Sequence, residues 1–101
     1  MEITDKIFDQ EVLKSKEPVI VMFWGSWCPV CKRAEAMLKE LSEETTQFKI
    51  KKINIDRNPV STVKYNILGS PTFIVFKEGK EIKRAIGSQS KNQILTLLEN
   101  D

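Results

Sequence analysis

A chain of 101 residues supplies one domain with one core and leaves no room for a second. With 41% apolar and 30% charged residues it is ordinary for a soluble globular chain, and no stretch approaches the roughly 18 apolar residues of a membrane span. The net charge of +2 is spread as mixed signs, so neither nucleic acid nor membrane is expected as a partner.

In chain order, Met1-Glu2-Ile3-Thr4-Asp5-Lys6 lacks the basic and then apolar regions of a signal peptide, so a cytoplasmic location is expected. Ile7, Phe8, Val12 and Leu13 give an N-terminal helix one apolar face. Val19 to Trp24 is a continuous apolar run bounded by Pro18 and Gly25, the pattern of a central strand buried on both faces. After Cys31 the apolar residues Ala34, Met37, Leu38 and Leu41 recur at helical spacing, and Pro29 suits the first turn of that helix because its missing N–H has no helical partner there. Cys28 is thereby placed at a helix N-terminus beyond the carboxyl end of a buried strand.

Phe48 to Ile55 reads as a second strand, on which Lys49, Lys51 and Lys52 form the polar side. Pro59 to Tyr65 reads as a short helix, and the β-α-β succession implies parallel pairing of the first two strands. Thr72 to Phe76 and Glu81 to Ile86 are joined by Lys77-Glu78-Gly79-Lys80, short enough for a hairpin, so this pair is antiparallel. Ser90 caps a last helix whose Ile94, Leu95, Leu97 and Leu98 pack back on the sheet. No repeat, low-complexity segment or linker interrupts the chain.

Cys28 and Cys31 are the only cysteines. In a reducing cytosol a structural disulfide is unexpected, and so small a loop would constrain the unfolded chain little. Zinc takes four ligands, and without histidine or a third cysteine the chain could complete a site only with carboxylates or a second chain. A redox pair is the leading explanation.

The whole chain resembles the thioredoxin family. The matching stretches are Val19 to Trp24 leading into Trp27-Cys28-Pro29-Val30-Cys31-Lys32, then Asn54-Ile55-Asp56-Arg57-Asn58-Pro59, Gly69-Ser70-Pro71-Thr72 and Ile86-Gly87. The resemblance implies an α/β thioredoxin fold: a single domain over residues 1–101, with a central mixed β-sheet flanked by α-helices. It also implies a monomer whose dithiol reduces disulfides in other proteins, with client proteins and a thioredoxin reductase as partners. No metal and no cofactor beyond the redox-active Cys28–Cys31 disulfide are implied.

Carried over residue by residue, Cys28 matches the exposed nucleophile and Cys31 the resolving thiol. Pro71 matches a cis-proline facing the dithiol. Trp27, Pro29, Val30, Ser70, Pro71 and Gly87 match a shallow apolar surface on which an extended substrate segment pairs with backbone near Ser70. Trp24 is expected to support the site from below. Met22 stands where the family usually has a buried Asp, Pro29-Val30 replaces its usual Gly-Pro, and Ala36 replaces the proline that kinks the long helix. Lys52 matches a lysine near the missing Asp and is a candidate for proton transfer. These departures bear on rate, potential and direction, and two other functions remain open: a thiol oxidase or disulfide isomerase of higher potential, and a non-catalytic binding module.

Overall fold

The apolar run ends up in the middle of the molecule. In the computed structural model, which describes residues 1–99, the strands are β1 (Glu2–Ile3), β2 (Val19–Trp24), β3 (Lys49–Asn54), β4 (Thr72–Lys77) and β5 (Lys80–Ile86). The helices are α1 (Pro29–Glu44), α2 (Pro59–Lys64) and α3 (Lys91–Glu99). Residues 100 and 101 of the expected domain lie outside the described residues.

The sheet order is β1-β3-β2-β4-β5; β1, β3 and β2 run parallel, while β4 and β5 each run antiparallel to the neighbour before them. Side chains alternate along β2, so both faces of this central strand find a core. Val19, Val21 and Phe23 pack with Phe8, Val12 and Phe76 on one side. Ile20 and Met22 pack with Leu38, Leu41, Phe73 and Ile94 on the other, beneath α1 and α3. Among the described residues no helix is long and apolar enough to cross a membrane.

Several local features follow directly from residue type. Glu78 and Gly79 have φ of 53° and 79°, the left-handed pair that a two-residue hairpin loop requires, and they close β4 onto β5 with Lys77 opposite Lys80. Ser90 Oγ accepts the N–H of Gln93 at 3.1 Å while Gln93 Oε1 accepts the N–H of Ser90 at 2.7 Å, a reciprocal cap for α3. Without a proline at position 36, α1 runs unbroken over 16 residues.

Three expectations change. The N-terminal segment is helical but not an α-helix: a tight turn over Asp5–Ile7 precedes a wide, π-type turn over Asp9–Leu13, where the Lys14 N–H reaches the Asp9 carbonyl at 2.9 Å. Phe8 and Val12 are buried as expected, but Ile7 is exposed, because so short a segment takes its shape from its tertiary anchors. The strand β1 was not anticipated; two residues carry no periodicity, although Ile3 is buried. The three lysines do not share one side of β3. Lys51 pairs with Glu11 at 3.2 Å, whereas Lys52 sits beside Met22 in the register and pairs with α1.

Candidate active site

The β2–α1 junction is shaped by small residues and by polar side chains from the next loop. A Cβ on Gly25 would stand 3.0 Å from the indole of Trp27, so glycine is what lets that ring lie against the turn. The Cys28 N–H donates to the Gly25 carbonyl at 3.1 Å, and α1 begins at Pro29 with Cys28 as its N-cap. The end of β3 and the loop after it brace this turn: Asp56 Oδ2 accepts the Ser26 N–H at 2.8 Å, and Asn54 Nδ2 donates to Ser26 Oγ at 3.2 Å. Cys28 and Cys31 are joined as a disulfide with Cα atoms 5.4 Å apart.

Across from the disulfide lies the loop entering β4. The Ser70–Pro71 peptide bond is cis, as the resemblance implies, and Thr72 Oγ1 ties the loop by donating to the Gly69 carbonyl at 2.7 Å. Gly87 has φ of 90° and its N–H donates to the Pro71 carbonyl at 2.8 Å. A side chain at position 87 would be strained by that φ even though nothing crowds the space. The Ser70 hydroxyl accepts the Gly25 N–H at 3.0 Å and lies 3.2 Å from Cys31 Sγ.

Geometry therefore gathers the site residues named from the sequence at one end of the sheet. Trp27 is 68% exposed and Pro29 is also exposed, while Val30, Ser70 and Gly87 are half-buried and Pro71 is buried. Cys28 is not the exposed residue expected of it: as a disulfide it is 6% accessible against 3% for Cys31, since each sulfur covers the other. The rank order is retained.

Beside this site, Lys52, the candidate for proton transfer whose strand neighbour is Met22 in place of the family's usual Asp, has two carboxylate partners from elsewhere. Its ammonium is 2.6 Å from Glu35 Oε1 and 3.5 Å from Glu2 Oε1, and it stands 5.4 Å from the centre of the Trp24 ring. Its side chain is 15% exposed, so it is not a solvated strand residue. Trp24 is partly buried and donates from Nε1 to Glu2 Oε2 at 3.2 Å, in keeping with support from below. Sequence reasoning missed Glu35, Glu2, Asp56 and the side chain of Ser70. For Glu35 the available signal was its place four residues after Cys31, on the same helical face.

A family model described as thioredoxin matches residues 1–100. The chain belongs to the thioredoxin family. It is 38% identical over 100 residues to a thioredoxin of Rickettsia bellii (strain RML369-C), covering 98% of this chain and 95% of that one. It is 38% identical over 93 residues to a thioredoxin of Streptomyces clavuligerus, covering 92% and 87%. Similarity also extends to a bifunctional thioredoxin reductase/thioredoxin of Mycobacterium leprae (strain TN), 36% over 96 residues, covering 94% of this chain and 21% of the relative. As a member of this family the chain is a thiol-disulfide oxidoreductase, and the Cys28–Cys31 pair fits the active site.

Among the described residues, no three His, Cys, Asp or Glu side chains converge as metal ligands. A groove of about 460 Å³ between Leu41 and Glu44 of α1 and Leu95 and Leu98 of α3 opens at the other end of the thioredoxin sheet, beside Pro18 and Phe48. It is remote from the sulfur chemistry.

Proposed function

We propose that Cys28 is the nucleophile and Cys31 the resolving thiol of a cytoplasmic, monomeric protein-disulfide reductase. The observation that carries this reading is the Cys28–Cys31 disulfide at the α1 N-terminus, facing the Ser70–Pro71 loop. In the reduced form, unpaired N–H groups and the helix dipole favour a thiolate on Cys28. That thiolate attacks one sulfur of a client disulfide, forming a mixed disulfide while the other client sulfur leaves with the electron pair. Cys31 then attacks Cys28 Sγ and releases the second client sulfur, so the dithiol is oxidised by two electrons and the client disulfide reduced.

Trp27, Pro29, Val30, Ser70, Pro71 and Gly87 would seat the client as an extended segment, with backbone pairing at Ser70. No cofactor is required beyond the sulfur pair itself. A thioredoxin reductase is the partner we assign for recharging the disulfide; similarity to the bifunctional thioredoxin reductase/thioredoxin of Mycobacterium leprae supports that assignment. Lys52 receives no part in proton transfer in this reading, because its ammonium is already engaged by Glu35 and Glu2.

Dithiothreitol-driven insulin reduction, with Cys28→Ser as control, tests the reading. Precipitation that requires Cys28 supports it, and equal activity of the variant contradicts it. Equilibration against glutathione buffers fixes the direction: a potential below that of the glutathione pool fits a reductase, and one well above it fits an oxidase or isomerase.

A further inference from the structure

Ser70 enters the sequence-based account through its backbone, yet its hydroxyl touches a reacting atom. A serine hydroxyl has one proton to give. Here the oxygen accepts the Gly25 N–H at 3.0 Å, and Cys31 Sγ, 3.2 Å away, carries no proton because it is in the disulfide. The hydroxyl must therefore be the donor in that contact. Its donor position is set from two sides, by a backbone amide at the end of β2 and by the loop that Thr72 Oγ1 ties to the Gly69 carbonyl. Met22, on the core side of β2 beneath α1, has no group that could donate to or accept from sulfur of comparable strength.

We propose that Ser70 is a catalytic residue that donates a hydrogen bond from Oγ to Cys31 Sγ and stabilises the Cys31 thiolate. The inference rests on the reading of Cys31 as the resolving thiol. In the resolving step the Cys31 thiol gives its proton to solvent, and the resulting thiolate attacks Cys28 Sγ. The Cys28–Cys31 bond forms, the bond from Cys28 to the client sulfur breaks, and the client sulfur leaves with the electron pair and is protonated by water. Ser70 keeps its own proton throughout. In the reverse direction, when a reductant thiolate attacks Cys28 Sγ, the same hydroxyl receives the charge that develops on departing Cys31. A donor of this kind acts in both directions, because a hydrogen bond to an ionised acceptor is stronger than one to a neutral sulfur.

The test titrates Cys31 alone, by ultraviolet thiolate absorbance in a Cys28→Ala background, with Ser, Ala or Thr at position 70. Ser70→Ala is expected to leave about tenfold less Cys31 thiolate at a given pH below its midpoint. Ser70→Thr, which keeps the hydroxyl, is expected to restore it. In the Cys28-containing protein, stopped-flow decay of a preformed mixed disulfide should slow about three- to fourfold with Ser70→Ala, less than the thiolate loss because nucleophilicity rises as acidity falls. Equal Cys31 thiolate with Ser and Ala would overturn the proposal, as would an equal deficit with Ala and Thr, which would assign the effect to loop packing. Failure of the underlying reading would show separately: Cys31→Ser would then not accumulate a mixed disulfide with insulin, whatever the titration of Cys31 gives.

Discussion

Lys52 Nζ and Glu35 Oε1 lie 2.6 Å apart, and this pair joins β3 to α1 one helical turn beyond Cys31. Lys52 stands opposite Met22 in the β2–β3 register, so its charge is compensated by Glu35 beside a β2 position that carries no carboxylate. Lys52→Met is expected to lower stability by about 1 kcal/mol or less, because Glu35 and Glu2 are nearly half exposed and become hydrated. The resolving rate should stay within about twofold. Urea midpoints and stopped-flow decay of a mixed disulfide check both, and a tenfold slower decay would put Lys52 in the proton path.

Met22→Asp probes the same region from the core side. Met22 is buried among Phe73, Leu38 and Ile20, so a carboxyl there should cost about 2 kcal/mol or more. It should speed the resolving step only above the pKa of the new carboxyl, where it can accept the Cys31 proton. An unchanged resolving rate at every pH would mean that proton acceptance at this position does not limit turnover.

Asp5 gives the fold an acid-sensitive joint. Its oxygens accept the Val60 and Ser61 N–H groups at 3.0 and 2.8 Å, capping α2 from the far end of the chain, and its own N–H donates to Asn58 Oδ1 at 2.8 Å. Burial pushes its carboxyl up, but the hydrogen bonds from Ser61 and Val60 outweigh it and hold the group below its ordinary value of 3.8. A carboxyl depressed in the folded state contributes stability above the unfolded value, and that contribution is lost as pH falls through the folded one. Asp5→Ala should cost about 1 kcal/mol near neutrality. The difference from the parent should shrink as pH falls below the ordinary value of 3.8, as read from urea midpoints across pH; a constant difference would contradict the linkage.

What the sequence made legible, and what it did not, divides along physical lines. Val19 to Trp24 carries its own signal, since six apolar residues between Pro18 and Gly25 leave little but a central strand, and Pro29 marks the start of α1. Glu2–Ile3 was hidden because it exists only through β3, and the N-terminal helix departed from the expected form where Asp5 is held by Asn58, Val60 and Ser61. At the site, spacing placed the two cysteines and resemblance placed Pro71 and Gly87. The Ser70 hydroxyl and the Glu35 carboxylate depend on where a side chain points across two elements, and no local pattern encodes that.

Pro29-Val30 bears on the acidity of Cys28. In the Gly-Pro order the residue before the second cysteine has no N–H, whereas Val30 keeps one at the α1 N-terminus and can donate to a Cys28 thiolate. The double variant Pro29→Gly, Val30→Pro should therefore have a less acidic Cys28 and a lower, more reducing potential, because the reduced thiolate state loses a donor. Thiolate titration and glutathione equilibration of both proteins read this, and an equal or more acidic Cys28 in the variant would contradict it.

The central claim is the division of labour between the two sulfurs, and trapping measures it most directly. Cys31→Ser and Cys28→Ser proteins, each reduced and then mixed with insulin, are analysed under non-reducing conditions by mass. The account predicts a stable mixed disulfide through Cys28 in the Cys31→Ser protein and little or none in the Cys28→Ser protein. Accumulation of the adduct through Cys31 instead would reverse the roles and contradict the account.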